Sequence, residues 1–320
     1  METMNPADLI RGVSPVLEVP FDDDENIDAE GFGRLVDHVL GTGVSSVMFP
    51  GFASEFHKLG GDERITLRDV LLARTRDRPD VAAIISVPEH ATVLAVAAAV
   101  DAVRAGADAI NLLPPHLLGP APDAVRAHIA SVLDAVHPVP VVLQYAPAQT
   151  GTALTAATIA ALRREHDNLH RVKVESTPPG RMVTDLLAGD LPIPSLIGYG
   201  GLQLPDALRR GAVGVQPGCS FTELYQRIWR DWEQGRADAA EHLHRRLLPY
   251  LSYWLQHVEL IIAAEKLISR RRGLTATATC RRPRHVLDPY ETAMIDRFLA
   301  EFADELAPTE PLVKPAGQKP

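Results

Sequence analysis

Cysteine is scarce: Cys219 and Cys280 are the only two in 320 residues, too few for a disulfide framework. Aromatic residues make up 5% of the chain, and 32 Lys and Arg are outnumbered by 41 Asp and Glu, a net charge of −9 at pH 7. Such a chain repels phosphate backbones and anionic bilayers, so nucleic acid and membrane surfaces are excluded as first readings. Long apolar runs are missing as well. The longest, Ala91 to Val103, has His90 and Asp101 at its edges and falls short of the roughly 20 residues a transmembrane helix needs. No basic-then-apolar segment opens Met1-Glu2-Thr3-Met4-Asn5. Together with the few cysteines, this leads us to expect a cytoplasmic protein.

What is present is a globular composition, 46% hydrophobic and 23% charged, able to bury a sizeable core. Length alone admits two average domains or one α/β barrel of about 250 residues. The patterning chooses between them. Short β-branched runs predict strands at Val13 to Val19, Val44 to Phe49, Val81 to Val87, Ala109 to Leu113, Val139 to Tyr145, Leu169 to Glu175, Ser195 to Tyr199 and Val213 to Gln216. Helix-period segments fall between them: Asp28 to Leu40, Asp62 to Arg76, Ala91 to Ala105, Asp123 to Val136, Thr155 to Glu165, Pro179 to Ala188 and Leu202 to Arg210. Asp62, Asp123 and Thr155 open their segments with the acidic or capping residues that helix starts prefer.

Eight such repeats predict an α/β fold, a (β/α)8 TIM barrel of parallel strands rather than an open doubly wound sheet. After Cys219 the pattern is helical only, near Phe221 to Gln234, Ala237 to Gln256, Val258 to Arg271 and Pro289 to Leu306. We therefore expect a catalytic barrel over residues 10–235 and an appended C-terminal helical bundle over 236–307 packed on it. Residues 308–320, with four prolines and no apolar period, read as a disordered tail.

In a barrel of this kind chemistry gathers at the carboxyl ends of the strands. The sixth is the most informative. In Arg171-Val172-Lys173-Val174-Glu175 a period of two puts the valines on one face and Lys173 with Glu175 on the other. If the valines pack outward on helices, Lys173 points into the barrel. There burial disfavours the charged form of an amine and frees a lone pair to attack a carbonyl, which is Schiff-base chemistry. The alternative is a structural pair between Lys173 and Glu175. The second strand ends in Gly51-Phe52-Ala53-Ser54-Glu55, a turn whose backbone N–H groups could hold a carboxylate, with a hydroxyl and an acid beside it. The fifth ends in Gln144-Tyr145-Ala146-Pro147, an amide and a phenol able to orient a substrate hydroxyl, although Tyr145 could equally be a packed rim aromatic.

These motifs carry a resemblance. Gly12 to Phe21, Gly51 to Glu55, Tyr145-Ala146-Pro147 through Thr150-Gly151, and Lys173 in its strand resemble the dihydrodipicolinate synthase and N-acetylneuraminate lyase family, over about Gly12 to Phe221. The resemblance implies a class I, Schiff-base-forming lyase, dehydratase or synthase acting on pyruvate and other 2-keto acids, commonly a homotetramer or homodimer, with Lys173 as the imine-forming lysine. Two departures stand out. The family turn Gly-Thr-Thr-Gly-Glu is here Gly51-Phe52-Ala53-Ser54-Glu55, and the family's Tyr-Asn-x-Pro is Gln144-Tyr145-Ala146-Pro147, which puts Gln144 at the tyrosine position.

Both departures are similar to one subgroup, L-2-keto-3-deoxyarabonate dehydratase. So are Ser54-Glu55-Phe56, Asp62-Glu63-Arg64, Ala146-Pro147-Ala148, Gly151-Thr152-Ala153-Leu154, Lys173, Glu175 and Arg282-Pro283-Arg284-His285. That subgroup usually has Asp where this chain has Tyr145.

Other signals are weaker. His242 and His244, at i and i+2, lie on different helix faces, and no third ligand is evident, so no metal is expected. Arg270-Arg271-Arg272 and Arg281-Arg282 read as solvated or subunit-contact residues. Gly198-Tyr199-Gly200-Gly201 lacks phosphate-loop spacing and reads as close backbone approach to a substrate, with Gly200 at its centre. Cys219 reads as a small rim residue rather than a nucleophile.

The expectation is a cofactor-free lyase in which Lys173, Tyr145 and Glu55 are catalytic and Ala53, Ser54, Gln144, Glu175 and Gly200 meet the substrate. Its partner is a small 2-keto acid, most readily a 2-keto-3-deoxy sugar acid that loses water. A pyruvate-dependent aldolase or condensation enzyme, or a non-catalytic sensor on the same barrel, are the other readings.

Overall fold

Val141, Val142, Leu143, Val172, Val174 and Leu196 are all fully buried, so the central strands are apolar on both faces. That is the signature of parallel strands covered by helices. The computed structural model describes residues 5–115, 118–151 and 154–306. The expected tail 308–320 and the Thr152-Ala153 pair of the motif above lie outside them.

Eight strands run β1 Gly12–Val13, β2 Ser46–Phe49, β3 Ala82–Val87, β4 Ala109–Leu112, β5 Val141–Tyr145, β6 Leu169–Val174, β7 Ser195–Ile197 and β8 Gly214–Val215. All neighbours pair in parallel in the order β1-β8-β7-β6-β5-β4-β3-β2, a nearly closed (β/α)8 barrel. The helices are α1 Pro6–Leu9, α2 Ala29–Gly41, α3 Gly61–Thr75, α4 Thr92–Ala105, α5 Pro122–Val136, α6 Pro147–Thr150, α7 Ala156–Glu165, α8 Gly180–Leu187 and α9 Leu204–Arg209. The C-terminal helices follow as α10 Thr222–Glu233, α11 Ala237–Trp254, α12 Val258–Arg272 and α13 Pro289–Glu301.

The chain divides into two compact units. The first holds the described residues of Met1–Ser14 with Ser45–Phe49 and Thr75–Pro217, and therefore every strand. Thr155 caps α7 by accepting from Thr158 N at 3.1 Å, while α5 starts at Pro122 with Asp123 in its first turn. Gly106, at φ 108°, closes α4 in the left-handed conformation that glycine tolerates. β1 is much shorter than the expected Val13 to Val19 because Pro15 has no N–H to give a ladder.

The second unit holds Pro15–Val44, Pro50–Arg74 and the described residues of Gly218–Pro320. Asp28 caps α2 by accepting from Gly31 N at 2.7 Å, and Asp288 caps α13 in a box closed by Glu291. Its aromatic core is centred on Phe298, whose ring lies 5.1 Å from Phe221, 5.3 Å from both Tyr250 and Trp254, and 5.0 Å from Phe302. Contacts of this kind contribute about 0.5–1.5 kcal/mol each beyond burial. Among the described residues no helix is long and apolar enough to cross a membrane.

Candidate active site

β6 alternates as its sequence requires. Val172 and Val174 take one face and are fully buried, while Arg171 and Lys173 take the other. The guanidinium of Arg171 donates to the carbonyls of Ala7 at 2.9 Å and Ile10 at 3.2 Å. Those carbonyls precede β1, three steps from β6 in the strand order, a reach open only to a side chain on the inner face of the barrel. Lys173 shares that face and is 4% exposed.

Its ammonium nitrogen lies 3.4 Å from Oε1 of Glu175, the first residue past β6. The other carboxylate oxygen, Oε2, accepts from Nε2 of Gln144 at 2.7 Å. Gln144 stands directly opposite Lys173 in the β5–β6 register, and this brings the amide, the carboxylate and the amine together. The amide oxygen of Gln144 in turn accepts from Nδ2 of Asn111 on β4 at 3.0 Å, and the same Nδ2 donates to Oγ of Ser86 on β3 at 2.8 Å. A chain of buried polar groups therefore crosses four adjacent strands and ends on the lysine.

The turn after β7 completes the clamp on Glu175. The backbone N–H of Tyr199 donates to Oε1 at 3.4 Å. A Cβ on Gly198 would stand 2.2 Å from Cγ of Glu175, so only glycine fits there. Tyr199 and Gly200 both adopt positive φ, 54° and 57°, a tight turn that Gly200 makes without strain and Tyr199 does not. The glycine run read as a substrate contact thus packs, at Gly198, against a carboxylate of the protein itself.

Tyr145 stands beside Val174 in register, on the opposite strand face from Gln144 and Lys173. It is nearly buried, and that burial pushes its phenol above the ordinary range.

Ala53, Ser54 and Glu55 belong to the second unit. The short 3-10 turn Phe52–Ser54 ends on Glu55 at φ 53°, and Glu55 is fully buried. Its Oε1 lies 2.5 Å from Nζ of Lys266, and its Oε2 lies 3.1 Å from Nζ of Lys58 and accepts from the backbone N–H of Arg281 at 3.1 Å. Lys266 also stands 4.0 Å over the ring of Phe21. Ser54 Oγ donates to the Leu17 carbonyl and accepts from Gly51 N, closing the turn on itself. Ala53 is half-buried in the same turn. Two further acids, Glu18 and Glu265, are buried in this unit, and burial pushes their carboxyls up to about 7 and about 8. Cys219 is buried and free, its thiol driven well above the ordinary range by the same desolvation. Among the described residues no group of three or more His, Cys, Asp or Glu is placed to hold a metal ion.

The barrel therefore brings together Lys173, Glu175 and Gln144 with the Tyr199–Gly201 turn. Asn111 and Ser86 join them without having been singled out in the sequence. The signal was available: each is a lone polar residue inside an otherwise apolar strand, Ala-Ile-Asn-Leu and Ala-Ala-Ile-Ile-Ser-Val.

The chain is similar to known proteins in sequence and in fold. The model of the Dihydrodipicolinate synthetase family matches residues 9–301. An L-2-keto-3-deoxyarabonate dehydratase of Azospirillum brasilense is 28% identical over 284 residues, 87% of this chain and 90% of that one. A 4-hydroxy-tetrahydrodipicolinate synthase of Parabacteroides distasonis is 27% identical over 237 residues, 73% of this chain and 78% of the relative. The solved structure of dihydrodipicolinate synthase from Rhodopseudomonas palustris superposes with a TM-score of 0.84 at 24% identity, covering 93% of this chain and 99% of its own.

Proposed function

The chain belongs to the dihydrodipicolinate synthetase family, and from that membership we propose that it is a Schiff-base-forming lyase of 2-keto acids, with Lys173 as the nucleophile, that removes water from a 2-keto-3-deoxy sugar acid. The observation that carries this reading is the buried cluster in which Glu175 lies between the amine of Lys173 and the amide of Gln144. A carboxylate at 3.4 Å can take the proton that Lys173 must lose before its lone pair attacks.

Attack of Nζ on the C2 carbonyl and loss of that oxygen as water forms the imine. The imine acidifies C3, whose proton leaves to a base, and the resulting enamine expels the C4 hydroxyl, which departs as a second water with the proton it receives. Hydrolysis then restores Lys173 and releases the dehydrated 2-keto acid. Glu175 is the group within reach for the proton transfers, and Gln144 keeps it oriented. Tyr145 and Glu55 enter this scheme less directly. The first turns to the other strand face, and the second is ion-paired with Lys266 and, alongside Glu259, with Lys58.

Dehydration is favoured over aldol chemistry by similarity to the Azospirillum brasilense dehydratase and by Gln144 at the position where the family typically has tyrosine. An amide cannot take the proton of a C4 hydroxyl, the step that C3–C4 cleavage requires. The test is incubation with 2-keto-3-deoxy pentonates and hexonates while free pyruvate is followed through lactate dehydrogenase. Loss of water without pyruvate is expected. Stoichiometric pyruvate would replace dehydration by aldol cleavage.

A further inference from the structure

An ionised carboxylate only accepts hydrogen bonds. For Gln144 to bond Glu175 in that state it must present its NH2, and its own oxygen then needs a donor in a buried place. Asn111 supplies it. The Nδ2 group of Asn111 has two hydrogens, and the structure uses both, one on Gln144 Oε1 at 3.0 Å and one on Ser86 Oγ at 2.8 Å. Asn111 is 0% exposed, and among the described residues its Oδ1 has no hydrogen-bond partner.

We propose that Asn111, anchored by Ser86, is a positioning residue for the lysine chemistry: it fixes the Gln144 amide with its NH2 toward Glu175, and so holds that carboxyl as the proton acceptor beside Lys173. This role rests on the imine reading above. Its logic is the polarity of the chain. If Asn111 turned its oxygen toward Gln144, the amide would follow and present Oε1 to Glu175, and that contact is favourable only when Glu175 carries a proton. The direction of the amides and the charge of the carboxylate are therefore one choice. Ser86, Asn111 and Gln144 lie on three successive strands, and only the last touches the Lys173–Glu175 pair.

Among the described residues the charged group facing Glu175 is Lys173. Tyr145 on β5 turns to the opposite face, and Tyr199 on the following turn meets Glu175 through its backbone N–H. A change at Asn111 therefore reaches the pair through Gln144.

The experiment follows the rate at which pyruvate is trapped on the enzyme by cyanoborohydride, as a function of pH and pyruvate concentration. Each variant is compared with wild type at the same pH, so the reductant's own pH dependence cancels. Asn111→Leu removes the donor, and Asn111→Asp, of nearly the same shape, replaces it with an acceptor that draws the Gln144 NH2 away. Both should move the acid limb of the trapping rate up by about one pH unit, the worth of one hydrogen bond to a charged group. At pH values on the acid limb the rate at saturating pyruvate should fall about tenfold, and the half-saturating concentration should change less than about threefold, since Asn111 acts only through Gln144.

Ser86→Ala should give a smaller shift in the same direction. Asn168 is the matched control: an equally buried asparagine whose Nδ2 donates to the carbonyls of Leu133 at 2.9 Å and Val139 at 3.3 Å. Asn168→Leu should lower stability and leave the acid limb in place. If every folded Asn111 and Ser86 variant keeps the wild-type limb and saturating rate, losing only stability as Asn168→Leu does, the positioning role is overturned. Failure of wild type to trap any 2-keto acid removes the imine reading and this role together, and is seen before any variant is compared.

Discussion

Nζ of Lys173 and Oε1 of Glu175 are 3.4 Å apart, both buried on the inner face of the barrel, the lysine within β6 and the carboxylate just past its end. Two charges in such a place cost several kcal/mol each to desolvate, and the cost is offset only when each has partners. Glu175 has three besides packing on Gly198: the lysine, the Gln144 amide and the Tyr199 N–H. A carboxylate so held is fixed in place for proton transfer.

Glu175→Gln should still yield the trapped pyruvate adduct, at a rate lowered at least as much as in the Asn111 variants, and should lose turnover of the sugar acid by about a hundredfold to ten-thousandfold, the usual worth of a positioned acid or base. Steady-state rates on the substrate, set beside mass analysis of the trapped adduct, separate the two. Parental turnover in Glu175→Gln would reject an acid–base or substrate-orienting role for this carboxylate.

Gly198→Ala places a methyl group where Cγ of Glu175 would be 2.2 Å away. The carboxylate must move, and a displacement of that order costs about a hundredfold in rate. Thermal unfolding should show a loss of about 1–3 kcal/mol from overpacking. Unchanged kinetics would mean that the place of Glu175 in the cluster is not what catalysis uses.

Glu55 tests which acids serve chemistry and which serve the fold. Glu55→Gln leaves Lys58 and Lys266 without the carboxylate they share, and breaking a buried pair costs about 3–5 kcal/mol. Denaturant unfolding should report that loss. Wild-type stability with abolished turnover would instead make Glu55 a reacting group.

Glu18 and Glu265 contribute a pH dependence to stability. Burial moves their carboxyls from the ordinary 4.5 up to about 7 and about 8. Between those limits the unfolded chain binds fewer protons than the folded one. Their contribution is thus complete below about pH 4.5 and is lost as pH rises through 7 to 8, a change on the order of a few kcal/mol. The melting temperature measured from pH 5 to 9 should fall, and Glu265→Gln should flatten the slope. An equal slope in the variant would contradict this assignment.

The period of two made much of the site legible. Lys173 and Glu175 share a face by parity alone, and the same parity separates Gln144 from Tyr145, which could not both face the lysine from one straight strand. Asn111 and Ser86 were readable only as polar interruptions, because their meaning depends on the neighbouring strand's register, a non-local quantity. The carboxylate of Glu55 looked available in sequence. One of its partners, Lys58, sits three residues on, but Lys266 lies on α12, far along the chain, and no local pattern announces that pair. Strand ends failed where proline intervened, as at Pro15 after β1.

The lyase assignment turns on whether Lys173 forms an imine. Wild-type enzyme treated with pyruvate, or a longer 2-keto acid, and borohydride should gain the mass of one reduced adduct, and peptide mapping should place it on Lys173, with none formed by Lys173→Ala. An adduct on another lysine, or none with any 2-keto acid, would contradict the lyase assignment.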